Sequence, residues 1–302
     1  MKKVLLISYS QTGQLTNLAE NFLSPMRNHS GILVEHCQLQ PETAYGFPWQ
    51  FLSFFNTFPE TVHLEPAPII PPKLQHEMYD VIIIAYTVWF LSPNQPITAF
   101  LQSEQAKLIL KDTPVITLIG CRNMWLQAQE KMKGLLKQCE AKLIGNIVKI
   151  DQCNDWVSFI TTPVWLLTGK KKIKGFQSAG IAESEIQDTQ RFGLQLLKYF
   201  NDNYPLDRTI FQGMGAVKID EKLMMSEKVG ARSFHIWGKL LLKCGKISPS
   251  FRKMMLCGYI VFLIAMILTV VPISAVIKRL FKPLLQKTLD EQKRYFAQPS
   301  GE

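Results

Sequence analysis

The stretch VLLISYSQTGQLTNL, residues 4–18, decides how this chain folds. Val4, Leu5, Leu6 and Ile7 form a short apolar run of the kind buried on both faces of a parallel sheet. Ser8, Tyr9 and Ser10 break the run, and Gln11, Thr12, Gly13 and Gln14 make a tight polar turn. Leu15, Leu18, Ala19 and Phe22 then recur at helical spacing. A strand, a hydroxyl-rich turn and a helix build an anion site, because the first amides of a helix have no internal partner and its dipole is positive there. Ser10 and Thr12 add hydroxyl donors, and Gly13 lets the backbone close on a phosphate. The stretch holds no Gly-x-Gly-x-x-Gly and no Gly-Lys-Ser/Thr, which sets aside the dinucleotide fingerprint and the Walker A loop.

Working outward, Gly31 turns the chain into a second strand, Ile32–Leu39. Residues 41–74 follow as an insertion rich in proline and aromatics, among them Tyr45, Phe47, Trp49, Phe51, Phe54, Phe55 and Phe58. A connection this long in a compact sheet protein is a candidate binding loop. It reads either as an apolar lid over a greasy substrate or as a short amphipathic helix covering a sheet edge. Val81–Ala85 is the third strand, Thr113–Gly120 the fourth and Leu143–Ile150 the fifth, with helical segments between them and a closing helix over 181–204. The third strand runs into Thr87, Val88, Trp89 and Phe90, and the fourth into Cys121, Arg122 and Asn123. Ligands in open parallel sheets lie beyond the carboxyl ends of the strands, so all three loops fall at one edge.

The turn at 10–15 resembles the FMN-phosphate loop of the flavodoxin-like superfamily, Ser/Thr-x-Thr-Gly-x-Thr. Ser10, Thr12 and Gly13 match, while Leu15 stands at the last position and Thr16 follows one residue late. Residues 89–101 resemble the ring-edge loop of flavodoxin-like quinone and FMN reductases at Trp89, Phe90, Ser92, Pro96, Phe100 and Leu101. The resemblance covers roughly residues 1–200. It implies an α/β fold, a doubly wound sheet of five parallel strands over 1–204, and FMN. Ser10, Gln11, Thr12, Gly13, Gln14 and Leu15 would hold its phosphate, and Thr87, Val88, Trp89, Phe90, Gly120, Cys121, Arg122 and Asn123 would border its ring. The segments PITAFL, GCRNMWLQAQEK, TPVWLLTGK and SAGI are similar to the flavodoxin-like family labelled dialkylresorcinol condensing enzyme. That likeness implies an FMN-dependent enzyme that aromatises a cyclohexanedione to a dialkylresorcinol, beside a ketosynthase or acyl-carrier-protein partner. Two alternatives stay open: an NAD(P)H-dependent quinone or FMN reductase, and a non-catalytic electron carrier or scaffold. Tyr86, Arg122 and Tyr45 are the candidate catalytic groups, and a homodimer is left open.

The net charge of +10 is unevenly placed, with 23 Lys/Arg against 21 Asp/Glu in residues 1–237 and 11 against 3 in 238–302. A nearly neutral domain with a basic tail argues against nucleic-acid binding and for a local anionic surface. Residues 205–253 read as a linker and an amphipathic interfacial helix, in which Phe234, Trp237, Leu240, Leu241 and Cys244 share a face. Residues 254–277 carry no charge, long enough for a ~30 Å hydrocarbon core, and 278–302 form a basic tail. Arg252 and Lys253 on one flank and Lys278 and Arg279 on the other leave spanning and in-plane arrangements equally open. Lys2 and Lys3 lead straight into the first strand without a signal pattern, and six scattered cysteines lack any Cys-x-x-Cys. The expectation is reduced thiols and a site on the cytoplasmic face of a bacterial inner membrane. The five histidines show no metal-ligand spacing and no Gly-x-Ser-x-Gly occurs, so no metal is expected and hydrolase chemistry has no residue to carry it.

Overall fold

The computed structural model describes residues 1–153 and 155–301; of 155, 156, 159 and 270–285 it describes the backbone only. Five strands, β1 (Lys2–Ser8), β2 (Ile32–Gln38), β3 (Val81–Tyr86), β4 (Pro114–Cys121) and β5 (Lys142–Ile150), form one parallel sheet in the order β2-β1-β3-β4-β5. This is the flavodoxin-like doubly wound order, with its switch point between β1 and β3. Val4 pairs with Val34 on one side and Val81 on the other, so the central strands stand in register. Every residue of β3 is buried. Alternation divides them: Ile82, Ile84 and Tyr86 enter one core with Leu5 and Ile7, while Val81, Ile83 and Ala85 enter the other with Val4 and Leu6.

Helix α1 (Gln14–Arg27) covers the second face, beside two short helices toward the end of the domain. The periodicity over 181–204 predicts one closing helix, but the structure has α8 (Glu183–Asp188) and α9 (Gln190–Asn201) on either side of Thr189. The Thr189 hydroxyl donates to Leu18 O (3.2 Å) as well as to Ile186 O, binding α1 where a continuous helix would pass it. Gly193 makes that approach possible, since a Cβ there would lie 1.9 Å from Phe22 O. Lys149, on β5, donates to Glu185 and Asp188 (2.6 Å each) and fixes α8 to the sheet. α4 (Gln95–Leu101), α5 (Glu104–Leu110) and α6 (Leu126–Gln138) fill out the connections on the first face. Tyr86, Gln129, Thr117 and Asn146 Oδ1 form a buried chain of hydrogen bonds between strands and α6.

The insertion is more ordered than a bare loop. Gln40–Pro41 pairs antiparallel with Ile69–Ile70 to close its base, and between them lie α2 (Phe51–Asn56) and α3 (Phe58–His63). After α7 (Asp155–Thr168) and the closing helices come α10 (Glu221–Ile247) and α11 (Pro249–Ala297), which turn back on each other at Ser248. Phe58 and Val62 of α3 share a third core with Leu241, Leu256, Tyr259 and Ile260 of that hairpin. The segment read as a basic tail is the last part of α11, which continues to Ala297 and returns to the sheet domain, where Phe296 packs on the first core. Within α11, Pro249–Thr269 is long and apolar enough to cross a membrane, with mean hydropathy 1.9 and 17% of it buried. The side chains of the rest of the expected 254–277 helix lie outside the described residues.

Glu227 of α10 docks this appendage by accepting from the Gln127 amide (2.6 Å), capping α6, which has no side-chain cap of its own. Burial pushes its carboxyl up to about 7, against partial relief from the amides it accepts. A carboxyl raised in the folded state binds more protons there than unfolded, so stability falls as pH rises toward 7 and is fully retained below the ordinary carboxylate range. The thermal midpoint of the detergent-purified full chain should therefore drop between about pH 5 and 7, as the unfolding free energy falls by at most about 1.4 kcal/mol per pH unit. Glu227→Gln should flatten that slope; an unchanged slope means that Glu227 does not control it.

Candidate functional site

The three loops do meet. A cavity of about 210 Å³ opens beyond the carboxyl ends of β1, β3 and β4, walled by Gln11, Thr12, Gln14 and Leu15, by Thr87, Val88 and Trp89, and by Gly120, Cys121 and Arg122. At its head, Gly13 adopts φ +77° as the N-cap of α1, with nothing within 4 Å of where a Cβ would stand. The helix has no side-chain cap, so its first amides face the loop, and Ser10 Oγ is buried without a hydrogen-bond partner. Free amides and an unsatisfied hydroxyl at a positive helix end suit an anion.

Side chains of the same loop tie two distant segments over the cavity. Gln14 donates to Ile181 O (3.0 Å) and accepts from Ile181 N (3.1 Å), and Gly180 at φ +92° leaves room for it. Gln11 donates to Gly46 O (2.9 Å) and accepts from Trp49 Nε1 (2.8 Å). Trp49 and Trp89 then meet edge to face at 5.5 Å, with Tyr9 and Tyr45 around Trp89 at 6.1 and 5.1 Å. Of these aromatics Trp89 lines the cavity, with Phe47 and Phe54, and makes one end of it apolar. α2 is the wall: Phe54 lines the cavity, while Leu52, Ser53 and Asn56 line an outer groove.

Some expected residues sit elsewhere. Tyr86 is fully buried in the core, donates to Gln129 Oε1 (2.8 Å) and does not line the cavity; burial pushes its phenol well up. It is a core residue because it alternates onto the face that packs α6. Tyr45 donates to Gln95 (2.6 Å) and packs among Tyr9, Trp49 and Trp89 off the cavity wall; burial raises its phenol. Phe90, at φ +48°, turns away to meet Phe54 and Phe58 at 4.8 and 5.2 Å. Asn123 is not on the cavity wall. Arg122 is on it, with Nε donating to Ser158 Oγ of α7 (2.8 Å). Cys121 lines the cavity as a thiol, pushed up by burial and then by the Glu227 and Asp151 carboxylates.

Six wall residues had no individual site role in the sequence: Asp151, Thr162, Trp165, Leu166, Gly180 and Ile181. Asp151 follows β5 and accepts from Cys153 N (2.8 Å) and Gly180 N (2.9 Å); the rule that sites lie beyond strand ends points to it. Thr162, Trp165 and Leu166 come from α7, and Thr162 Oγ1 is buried without a partner. Only tertiary packing of α7 brings them here.

Together these features define a flavodoxin-like α/β protein whose strand ends enclose an aromatic-walled cavity. No family model matches the chain, and no curated protein matches it. Among solved structures it is similar to a flavoprotein in complex with FMN from Lactobacillus acidophilus, at 18% identity and TM-score 0.41 over 49% of this chain and 93% of that one. It is also similar to flavodoxin 1 from Bacillus cereus, in its oxidised form, at 14% identity and TM-score 0.36 over 66% and 99%. General stress protein 14 from Treponema denticola, in complex with FMN, gives 10% identity and TM-score 0.33 over 65% and 98%. The fold assignment rests on strand order, with these likenesses alongside.

Gln14→Leu removes both bonds to the 178–182 segment while keeping its bulk. Amide exchange at Gly180 and Ile181 should quicken by at least about fivefold, about 1 kcal/mol for a lost pair of neutral hydrogen bonds, with β3 unchanged. Equal protection in both proteins would show that the segment is held by other contacts.

Proposed function

We propose that this chain is an FMN-dependent oxidoreductase acting on a hydrophobic ring substrate at a membrane surface. The observation that carries it is one cavity walled by all three strand-end loops, beside a helix N-terminus with an αL glycine and a buried unsatisfied hydroxyl. Those groups fit a phosphate: Ser10, Thr12 and the amides from Gly13 to Thr16 would hold it. Thr87, Val88, Trp89, Gly120 and Cys121 would border the ring. At about 210 Å³ the ring end is below the ~300 Å³ at which cofactor sites begin, so the 45–54 segment must stand off for a three-ring group to enter. When bound, FMN supplies reversible two-electron acceptance, which no side chain here can offer.

The chain's own residues do the rest. Trp89, Phe47 and Phe54 offer apolar surface to a ring, and Trp49 backs Trp89 from behind the wall. Arg122 sets a fixed positive charge on the wall, which favours negative charge developing on a substrate oxygen. Asp151 is the carboxylate on the wall among the described residues, oriented there by the Cys153 and Gly180 amides. With α2 lining both cavity and groove, and Pro249–Thr269 able to associate with lipid, a poorly soluble substrate would enter past α2. Cyclohexanedione aromatisation, with a ketosynthase upstream, is the reaction that suits these groups. Quinone reduction by NAD(P)H uses the same apolar cavity and is the second reading.

The test is the absorbance spectrum of detergent-purified full chain reconstituted with FMN, then mixed anaerobically with a cyclic dione or with NADPH. A bound flavin bleached by the dione supports the aromatase, and one bleached by NADPH supports the reductase. Thr12→Ala and Gly13→Val should each weaken FMN by at least about tenfold, through a lost hydroxyl contact and a strained φ respectively. No bound flavin, or unchanged affinity in both variants, overturns the proposal.

A further inference from the structure

Both ends of α11 are fastened to the same domain. At its start, Arg252 grips Glu60 with Nη1 and Nη2 (2.5 and 2.8 Å) and reaches Asn56 through Nε and Nη2 (3.0 and 2.7 Å). Two turns on, Tyr259 is fully buried and stacked on Phe58, with ring centroids 4.5 Å apart. At its end, Tyr295 donates to Glu130 (2.8 Å) and Lys293 reaches Glu221 (3.5 Å). Just beyond, Ser300 is buried and its hydroxyl accepts from the Asn146 amide of edge strand β5 (2.6 Å). A helix that crosses a bilayer delivers its ends to opposite sides of a ~30 Å core. A helix whose two ends hold one sheet domain begins and ends on one side. The paired basic flanks, Arg252–Lys253 and Lys278–Arg279, are compatible with that arrangement.

The outer surface of the α10–α11 hairpin is built for that face. On α10, Ile236, Leu240 and Ile247 fall on one stripe, and Lys239, Lys243 and Lys246 on the stripe beside it. Ile236 and Ile247 are 68% and 74% exposed, and Met254, Val261 and Leu268 of α11 are exposed as well. Against the lysine stripe, an open groove of about 1130 Å³ runs between α2–α3 and the hairpin and includes Lys253. Among the described residues none of Lys239, Lys243, Lys246 and Lys253 has a carboxylate partner. The acids in the groove are Glu60, spent on Arg252, and Glu65.

Resting on the membrane association above, we propose that the hairpin docks into one leaflet without crossing it, and that the groove takes the headgroup of an anionic phospholipid. The unpaired lysines match the headgroup charge, and the apolar stripe beside them matches the acyl region beneath it. An acidic protein would satisfy the lysines and leave the isoleucines in water, so the observations favour lipid.

The test co-sediments the full chain, diluted from detergent, with phosphatidylcholine vesicles with and without phosphatidylglycerol. Phosphatidylglycerol should strengthen binding, and Lys243→Gln/Lys246→Gln/Lys253→Gln should cut that gain by at least about tenfold, each surface lysine contributing roughly fivefold before screening. Lys170→Gln/Lys172→Gln/Lys174→Gln, which removes the same charge elsewhere, should keep it. Binding to neither vesicle overturns the membrane association and this proposal together. Equal binding to both vesicles, equal loss in the two variants, or lysine-dependent capture of an acidic carrier protein without lipid preference overturns the headgroup site alone. For topology, Glu77→Cys and Gln298→Cys, each with Cys257→Ser, are probed in sealed vesicles with an impermeant maleimide. Labelling of both from one side supports docking in one leaflet; protection of Gln298→Cys until detergent is added shows a span and overturns it.

Discussion

Strand β3 touches water nowhere, and the need to cover both faces of such a strand arranges the rest of the molecule. A strand buried on two sides pairs with β1 and β4 through its backbone and offers alternate side chains to two separate cores. Helices must then lie on both faces, every crossover must run the same way, and all the strand-to-helix loops emerge at one edge. The cavity is therefore a consequence of sheet burial: its walls are what is left where buried strands end and helices begin. Edge strand β5 meets the same requirement differently. Ala216 O accepts from the Val148 amide and Ser300 from the Asn146 amide, so the far end of the chain closes an edge that would otherwise be open to pairing.

The appendage and the insertion depend on each other. α2 has no fully buried residue and α3 is a single turn and a half, too little to fold alone. They are held by the Arg252 clamp, by the Phe58–Tyr259 stack, and by Lys131, which donates from α6 to Val62 O (2.8 Å) and Ser92 (2.7 Å). The element that walls the cavity is thus fixed from outside by the helix that bears the apolar segment. α11 holds α2 through the Arg252–Asn56 bonds, and α2 carries Phe54 of the cavity wall.

Much of the site was legible in local sequence, because a strand, turn and helix are fixed by a few consecutive residues. Gln14, Leu15, Thr87, Val88, Trp89, Gly120, Cys121 and Arg122 all line the cavity; the last six stand at the end of a buried apolar run, and Gln14 and Leu15 open the helix after the first turn. Tyr86 failed as a candidate although it adjoins Thr87, because one residue of alternation moves a side chain to the other face of a strand. Phe90 failed because a positive φ reversed its direction, which nothing in its neighbours announces. Thr162 and Trp165 carried a family likeness but no position, since their place depends on how α7 folds over the strand ends.

By itself the sequence determined the five strands, the turn at Gly13, the edge at which ligand would bind, and an apolar segment long enough to meet a membrane. Each of these is a property of contiguous residues, set by periodicity, turn chemistry or length. Only the tertiary structure decided that α2 divides cavity from groove, that Glu227 caps a helix 100 residues away, and that both ends of α11 return to one domain. Those depend on contacts between residues far apart in the chain, whose pairing is chosen by how whole surfaces fit and leaves no local pattern to read.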